Sequence, residues 1–177
     1  MASRPLLLSC ALVLLAAPAL GQSSASGGFG LSNHDTGAPV DVSADRIEVQ
    51  DRVDRAIFSG SVRVKQGNLR LAADRVTLAY STAGGIEIDR IDASGGVTVT
   101  SPTERATGRF GIYDTDRRLI TLVGDVVLNR GANELRGGRL AIDLTSGRAV
   151  MEGGAAGVSA APGGRVSGTF TVPRRGG

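Results

Sequence analysis

The residues able to make or break covalent bonds are few in this chain and badly spaced for it. One histidine, His34, lies in a stretch with no periodicity, and one cysteine, Cys10, lies inside an apolar run near the start. Asp114 and Asp116 form the only close carboxylate pair in a turn. Such a pair could ligate calcium or act as acid and base, but the polar tip of a hairpin explains it without either. The chain has no G-x-S-x-G elbow, no G-x-x-x-x-G-K-[ST] phosphate cradle and no His/Cys spacing suited to a metal. No enzyme activity, cofactor or metal is therefore expected. What recurs instead is an arginine, at Arg46, Arg75, Arg109 and Arg139, spaced 29, 34 and 30 residues apart. It falls opposite the apolar residues, where it reads as a solvated stripe paired to Asp and Glu; the other reading is a basic ladder for anionic groups.

The chemistry that remains is burial of apolar surface. Phe58, Val62, Val64, Leu69, Leu71, Val76, Leu78, Ile86, Ile88, Val97, Val99, Phe110, Ile112, Ile120, Leu122, Val126, Leu128, Leu140 and Ile142 fall at period two and supply one apolar face along the chain. Such a face is either a dry core or a trough for an apolar ligand. Each methylene kept from water is worth about 0.8 kcal/mol, so a trough sheltering an acyl chain of a dozen carbons would offset on the order of 10 kcal/mol of exposure. Val40, Val42, Ile47 and Val49 precede that set in two short alternating runs and are the candidates for docking at a sheet edge.

Strands must carry these residues, because no stretch of helical length has apolars at i, i+3 and i+4. Between Ala56 and Tyr80 the alternation implies three short strands, divided by a turn at Gln66-Gly67-Asn68 and a small-residue break at Ala72-Ala73-Asp74. The motif repeats. The recurring arginine marks one anchor; Gly60, Gly95, Gly124 and Gly153, spaced 35, 29 and 29, mark another. Ile91 and Ala93 fall out of step with Ile88, which predicts a bulge near Asp89-Arg90. About a dozen short antiparallel strands in repeats of this length predict an all-β fold, an elongated, twisted, open jelly-roll-like stack with free strand edges at its ends.

The ends of the chain differ from its middle. Residues 1–21 have a charged start at Arg4, an apolar run from Leu6 to Ala16 and small residues at Ala17-Pro18-Ala19 or Ala19-Leu20-Gly21, the pattern of a cleaved export signal. The apolar run is short of the ~20 residues a membrane crossing needs. With Cys10 removed, the remaining chain has no thiol and no disulfide. Residues 22–38 are Gly/Ser-rich and read as a flexible lead-in; 155–177 are Gly/Ala-rich, with one weak strand at Val166 to Val172 and the basic end Arg174-Arg175. Net charge is +3 over 177 residues, and Lys65 is the only lysine among 20 basic residues. Aromatics at 3% and no helix-turn-helix pattern argue against nucleic acid.

One family shares this pattern. The run A-P-V-D-V-S-A-D-R-I-E from Ala38 to Glu48, the run F-x-G-x-V-x-V-x-Q-G from Phe58 to Gly67, and L-A-A-D-R-V from Leu71 to Val76 resemble the OstA-like domain of periplasmic lipopolysaccharide-transport proteins of the LptA type. The resemblance spans residues 39–154, the later units as degenerate repeats. It implies an open β-jelly roll in the periplasm whose interior shelters the acyl chains of lipid A. It also implies head-to-tail contacts, with itself, with an LptC-like inner-membrane protein and with an LptD-like outer-membrane protein. An LptC-like domain, or one like the N-terminal part of LptD, would share the fold. Two other classes stay open: a β-solenoid scaffold that polymerises and carries nothing, and a β-helix carbohydrate enzyme, for which the scattered Asp and Glu offer no cluster.

Overall fold

The computed structural model describes residues 34–154 and 164–171, so the export signal, most of the lead-in, residues 155–163 and Arg174-Arg175 lie outside the described residues. Ten strands form one antiparallel sheet: β1 (Val40–Ser43), β2 (Arg46–Gln50), β3 (Arg55–Gln66), β4 (Leu69–Ser81), β5 (Glu87–Thr100), β6 (Glu104–Asp114), β7 (Leu119–Arg130), β8 (Asn133–Asp143), β9 (Arg148–Glu152) and β10 (Ser167–Thr169). A 3₁₀ turn spans Asp51–Val53, where the charged turn before β3 is expected.

β3 to β8 pair as successive hairpins in chain order. The short strands share partners. β1 pairs with residues 63–66 of β3 and β2 with residues 55–59 of the same strand. At the other end β9 pairs with residues 139–143 of β8 and β10 with residues 134–136. Each long strand thus contributes one half to a wing that starts at β1 and the other half to a wing that starts at β2. The two wings pack face to face, since Val64, Leu69 and Val99 of the β1 wing line the same cavity as Ile91, Ile120 and Leu122 of the β2 wing.

The fold between the wings is built from the two repeat anchors. On β3, β5 and β7 a pair of residues takes positive φ: Gly60 and Ser61, Gly95 and Gly96, Gly124 and Asp125. At each pair the register with the neighbouring strands shifts by one residue. On β4 and β6 the facing positions are Asp74, next to the anchor Arg75, and the anchor Arg109 itself. A side chain at Gly95 would stand 2.6 Å from the Cβ of Asp74, so only glycine lets the strands close at the bend. The bend also explains why six strands run 11 to 14 residues where the alternation suggests a dozen short ones. The break at Ala72-Ala73-Asp74 is a corner turned inside β4. Asp89 is the extra residue of a second shift, since Ala79 pairs with Arg90 and Tyr80 with Ile88, as the loss of step near Asp89-Arg90 implies.

Three residues expected on the inner face lie outside its frame. Ile86 lies in the loop before β5 and is 80% exposed, and Phe110 is 55% exposed on the outer face of β6. The cause at Phe110 is the bend. β4 and β6 turn it with two successive exposed residues, Asp74-Arg75 and Arg109-Phe110, so the inner set shifts parity from Ala106 and Gly108 to Gly111 and Tyr113. Ile112 shares the outer frame with Phe110. It is half-buried, opposite Asp92 and Thr121, though part of it reaches the cavity wall.

Candidate functional site

The interior between the wings is the one continuous apolar surface of the described residues. Two cross-strand columns traverse the β2 wing from edge to edge. One runs Ile47, Phe58, Val76, Ala93, Gly111, Leu122, Leu140, Met151; the other runs Val49, Ala56, Leu78, Ile91, Tyr113, Ile120, Ile142, Ala149. The β1 wing supplies Val42, Val64, Leu71, Val99, Ala106, Leu128 and Leu135 in the same way. Of the residues expected inside, Phe58, Val62, Val64, Leu69, Val76, Leu78, Val97, Val99, Ile120, Leu122, Val126, Leu128, Leu140 and Ile142 are buried in one cluster, and Leu71 and Ile88 are half-buried against it. Ile91, Ala93 and Tyr113 are buried there too and escape the simple alternation, the first two because they follow the bulge at Asp89 and Tyr113 because it follows the bend; Leu144, in step with Leu140 and Ile142, is buried as well.

The wings are packed together along most of their length. The free space is a narrow cavity of about 20 Å³ near the open rim, walled by Val40, Val64, Gln66, Leu69, Leu71 and Val99 on one side and Ile91, Ile112, Tyr113, Ile120 and Leu122 on the other. Only Gln66 and Tyr113 bring polar side chains to it. The Gln66 amide nitrogen donates to the carbonyls of Thr36 (2.9 Å) and Ala38 (3.1 Å), which fixes its oxygen as the acceptor facing His34 Nε2 at 3.1 Å. His34 therefore carries a proton on Nε2, and its Nδ1 meets the Asn68 side chain at 3.1 Å. Residues 34–38 are thereby tied across the end of the β3–β4 hairpin. Tyr113 is different: its hydroxyl is buried with no hydrogen-bond partner. Burial pushes the phenol up from its ordinary pKa, against an opposing pull from Arg118.

The edge candidates divide by wing. Val40 and Val42 pack partly into the core, whereas Ile47 and Val49 are 56% and 59% exposed although both belong to the inner columns. At β2 the interior comes to the surface, because no described strand pairs beyond it.

Outside, the recurring arginines are largely neutralised. Arg46 pairs with Glu48, Arg109 with Asp125 at 2.8 Å and Arg139 with Glu152 at 3.0 Å. A cluster of cations lies on the outer face of the β1 wing. Arg63, Lys65, Arg70 and Arg105 flank a groove of about 530 Å³ with Asp41 as its single carboxylate. Lys65 sits directly opposite Arg70, a like-charge cross-strand pair that costs stability. At the expected hairpin tip, Asp114 accepts a hydrogen bond from the Arg117 backbone at 2.9 Å, and Asp116 is exposed. Among the described residues no group of His, Cys, Asp and Glu could hold a metal ion.

This architecture has counterparts. The crystal structure of LptH from Pseudomonas aeruginosa, described as the LptA homologous periplasmic component of the conserved lipopolysaccharide transport device, matches with a TM-score of 0.68 over 78% of this chain and 99% of that one. At 19% identity that match establishes the fold. An uncharacterised protein of Rhizobium meliloti (strain 1021) is 35% identical over 152 residues, 82% of this chain and 80% of its own length. The model of the LptA/(LptD N-terminal domain) LPS transport protein family matches residues 41–148, the whole span from β1 to the start of β9. By sequence and by fold, this chain belongs to that LptA/LptD N-terminal-domain family of LPS transport proteins.

Proposed function

We propose that the protein is a periplasmic component of lipopolysaccharide transport that shelters the acyl chains of lipid A between its wings and passes them on through contacts at its open ends. The observation that carries this reading is the pair of apolar columns that cross every strand of the β2 wing and surface at Ile47 and Val49. A dry core has no need to end uncovered. Burying a dozen methylenes at about 0.8 kcal/mol each offers on the order of 10 kcal/mol, enough to offset parting the wings at the rim, and a cavity of about 20 Å³ requires that they part. The cations of the outer groove support the same reading. Lys65, Arg70 and Arg105 lie within two residues of the β3–β4 and β5–β6 turns, where a chain entering over the rim would leave its phosphorylated head group outside.

Docking in this reading uses the unpaired edges, toward an LptC-like protein at the inner membrane, an LptD-like protein at the outer membrane, and further copies of the chain. Residues 1–21 act as a removed export signal, and the protein performs no catalysis. The close packing also suits a scaffold that polymerises through the same edges without cargo. Photo-crosslinking in living cells separates the two. A photoreactive residue in place of Leu122 is expected to capture lipopolysaccharide, and one in place of Phe110, on the outer face of the same wing, is not. Equal labelling from both positions, or none from Leu122 in folded protein, rejects the carrier.

A further inference from the structure

We infer that the Tyr113 hydroxyl is a hydrogen-bonding anchor inside the interior for an oxygen borne by an acyl chain, either a chain hydroxyl or an ester carbonyl. Tyr113 is 5% exposed, and its hydroxyl is the buried side-chain polar atom left without a partner among the described residues. A buried phenol ordinarily finds one. On either side of Tyr113 the sheet offers only Ile91 and Ile120. Across the cavity, Gln66 is the sole other polar side chain in the wall, and its amide is already engaged with His34, Thr36 and Ala38. The space is large enough for one water, whose side-chain partners in the wall would be Tyr113 and the second lone pair of the Gln66 oxygen, the minimum of the two to four that hold buried waters.

Phenylalanine would fill the same volume without leaving a hydroxyl unpaired, so the oxygen is a feature of the site that packing does not explain. A plain hydrocarbon chain entering between the wings leaves it unpaired still. A chain with an oxygen a few carbons from its head satisfies it. The hydroxyl therefore makes the interior selective between acyl chains of equal length, where apolar burial alone could not tell them apart. This inference rests on the reading that the interior takes acyl chains, and the experiment keeps the two apart.

Displacement of a fluorescent acyl probe from the mature chain would be measured with myristate, 3-hydroxymyristate and 3-acetoxymyristate, for the parent and for Tyr113→Phe. The parent is expected to prefer an oxygenated chain by about three- to tenfold, the worth of one net hydrogen bond, and Tyr113→Phe is expected to bring that preference, read as the ratio between chains within each protein, to about one. Preference for the hydroxy chain or for the acetoxy chain identifies which oxygen is used. Because the substitution removes one unpaired atom, its Tm should be no lower than the parent's. Equal binding of all three chains by the parent, or a preference unchanged in Tyr113→Phe, overturns the anchor and leaves the carrier standing. No displacement by any chain overturns both.

Discussion

Asp143 shows how much of the turn chemistry rests on single side chains. Its carboxylate accepts hydrogen bonds from the backbone N–H groups of Thr145 (2.8 Å) and Ser146 (2.9 Å), closing the turn from β8 into β9. The bond from the Ser146 backbone is the largest influence holding its pKa below the ordinary value; the cost of burial opposes it, and the Thr145 backbone and the Ser146 side chain add to it in the same sense. The sign of the consequence follows. A carboxyl whose folded pKa lies below its unfolded one contributes stability that is fully present above the unfolded value and is lost as pH falls through the folded one. The urea midpoint of the parent should therefore decline as pH drops below about 4, the ordinary range for an aspartate. In Asp143→Asn that share of the decline should be absent, and midpoints measured from pH 6 to pH 2.5 in both proteins check it. An identical acid profile would mean that the turn bonds add nothing beyond the unfolded state.

At the scale of the strand, the bend is the feature that decides the fold. Gly95 and Gly96 both take positive φ, at 84° and 73°, but the space around them differs. A methyl group at Gly95 would collide with Asp74, whereas at Gly96 nothing lies within 4 Å. Gly96→Ala should therefore cost only the left-handed backbone, about 1–2 kcal/mol, and Gly95→Ala should cost that plus separation of β4 from β5, about 3 kcal/mol or more. Chemical denaturation of the two variants tests the difference, and equal losses would place the cost in φ alone. The same element explains what the sequence made legible. The repeat of the arginine and glycine anchors was visible because one bend is built from the same parts in every unit, and the alternating runs gave the strands and fourteen buried residues of the interior. Tyr113 and Phe110 were not legible. Period two carries the inward frame along a straight strand, but at a corner two successive side chains point outward and the frame moves by one residue. Nothing in the local pattern of Gly108-Arg109-Phe110-Gly111 states that the corner lies there; it follows only from the stacking of neighbouring strands. Likewise the basic groove is assembled from five separate strands, and Arg63, Lys65, Arg70 and Arg105 meet around the single carboxylate of Asp41 only through the stacking of those strands.

For the molecule as a whole, the wings end in two unlike edges. β1 and β2 close one end with Ile47 and Val49 uncovered, and β9 and β10 close the other with Ala149 and Met151 half-buried at the ends of the same columns. Joining the first end of one copy to the second end of another would continue both columns and pair the free backbone groups of each edge. Because the two surfaces differ, the contact would be heterologous and each addition would leave one free edge of each kind, so growth would continue into a filament unless the rotation closed a ring. Lysine at an edge opposes strand addition at little cost to a residue already half in water. The combination Ile47→Lys, Val49→Lys should therefore keep its fold but lose concentration-dependent growth in sedimentation velocity, and Met151→Lys should block the opposite end. Each variant alone is expected to remain monomeric. Mixed in equal amounts, they retain one intact edge of each kind and should form dimers and nothing larger. A parent that stays monomeric at every concentration, or a mixture that gives no dimer, would show that these edges do not join copies of the chain end to end.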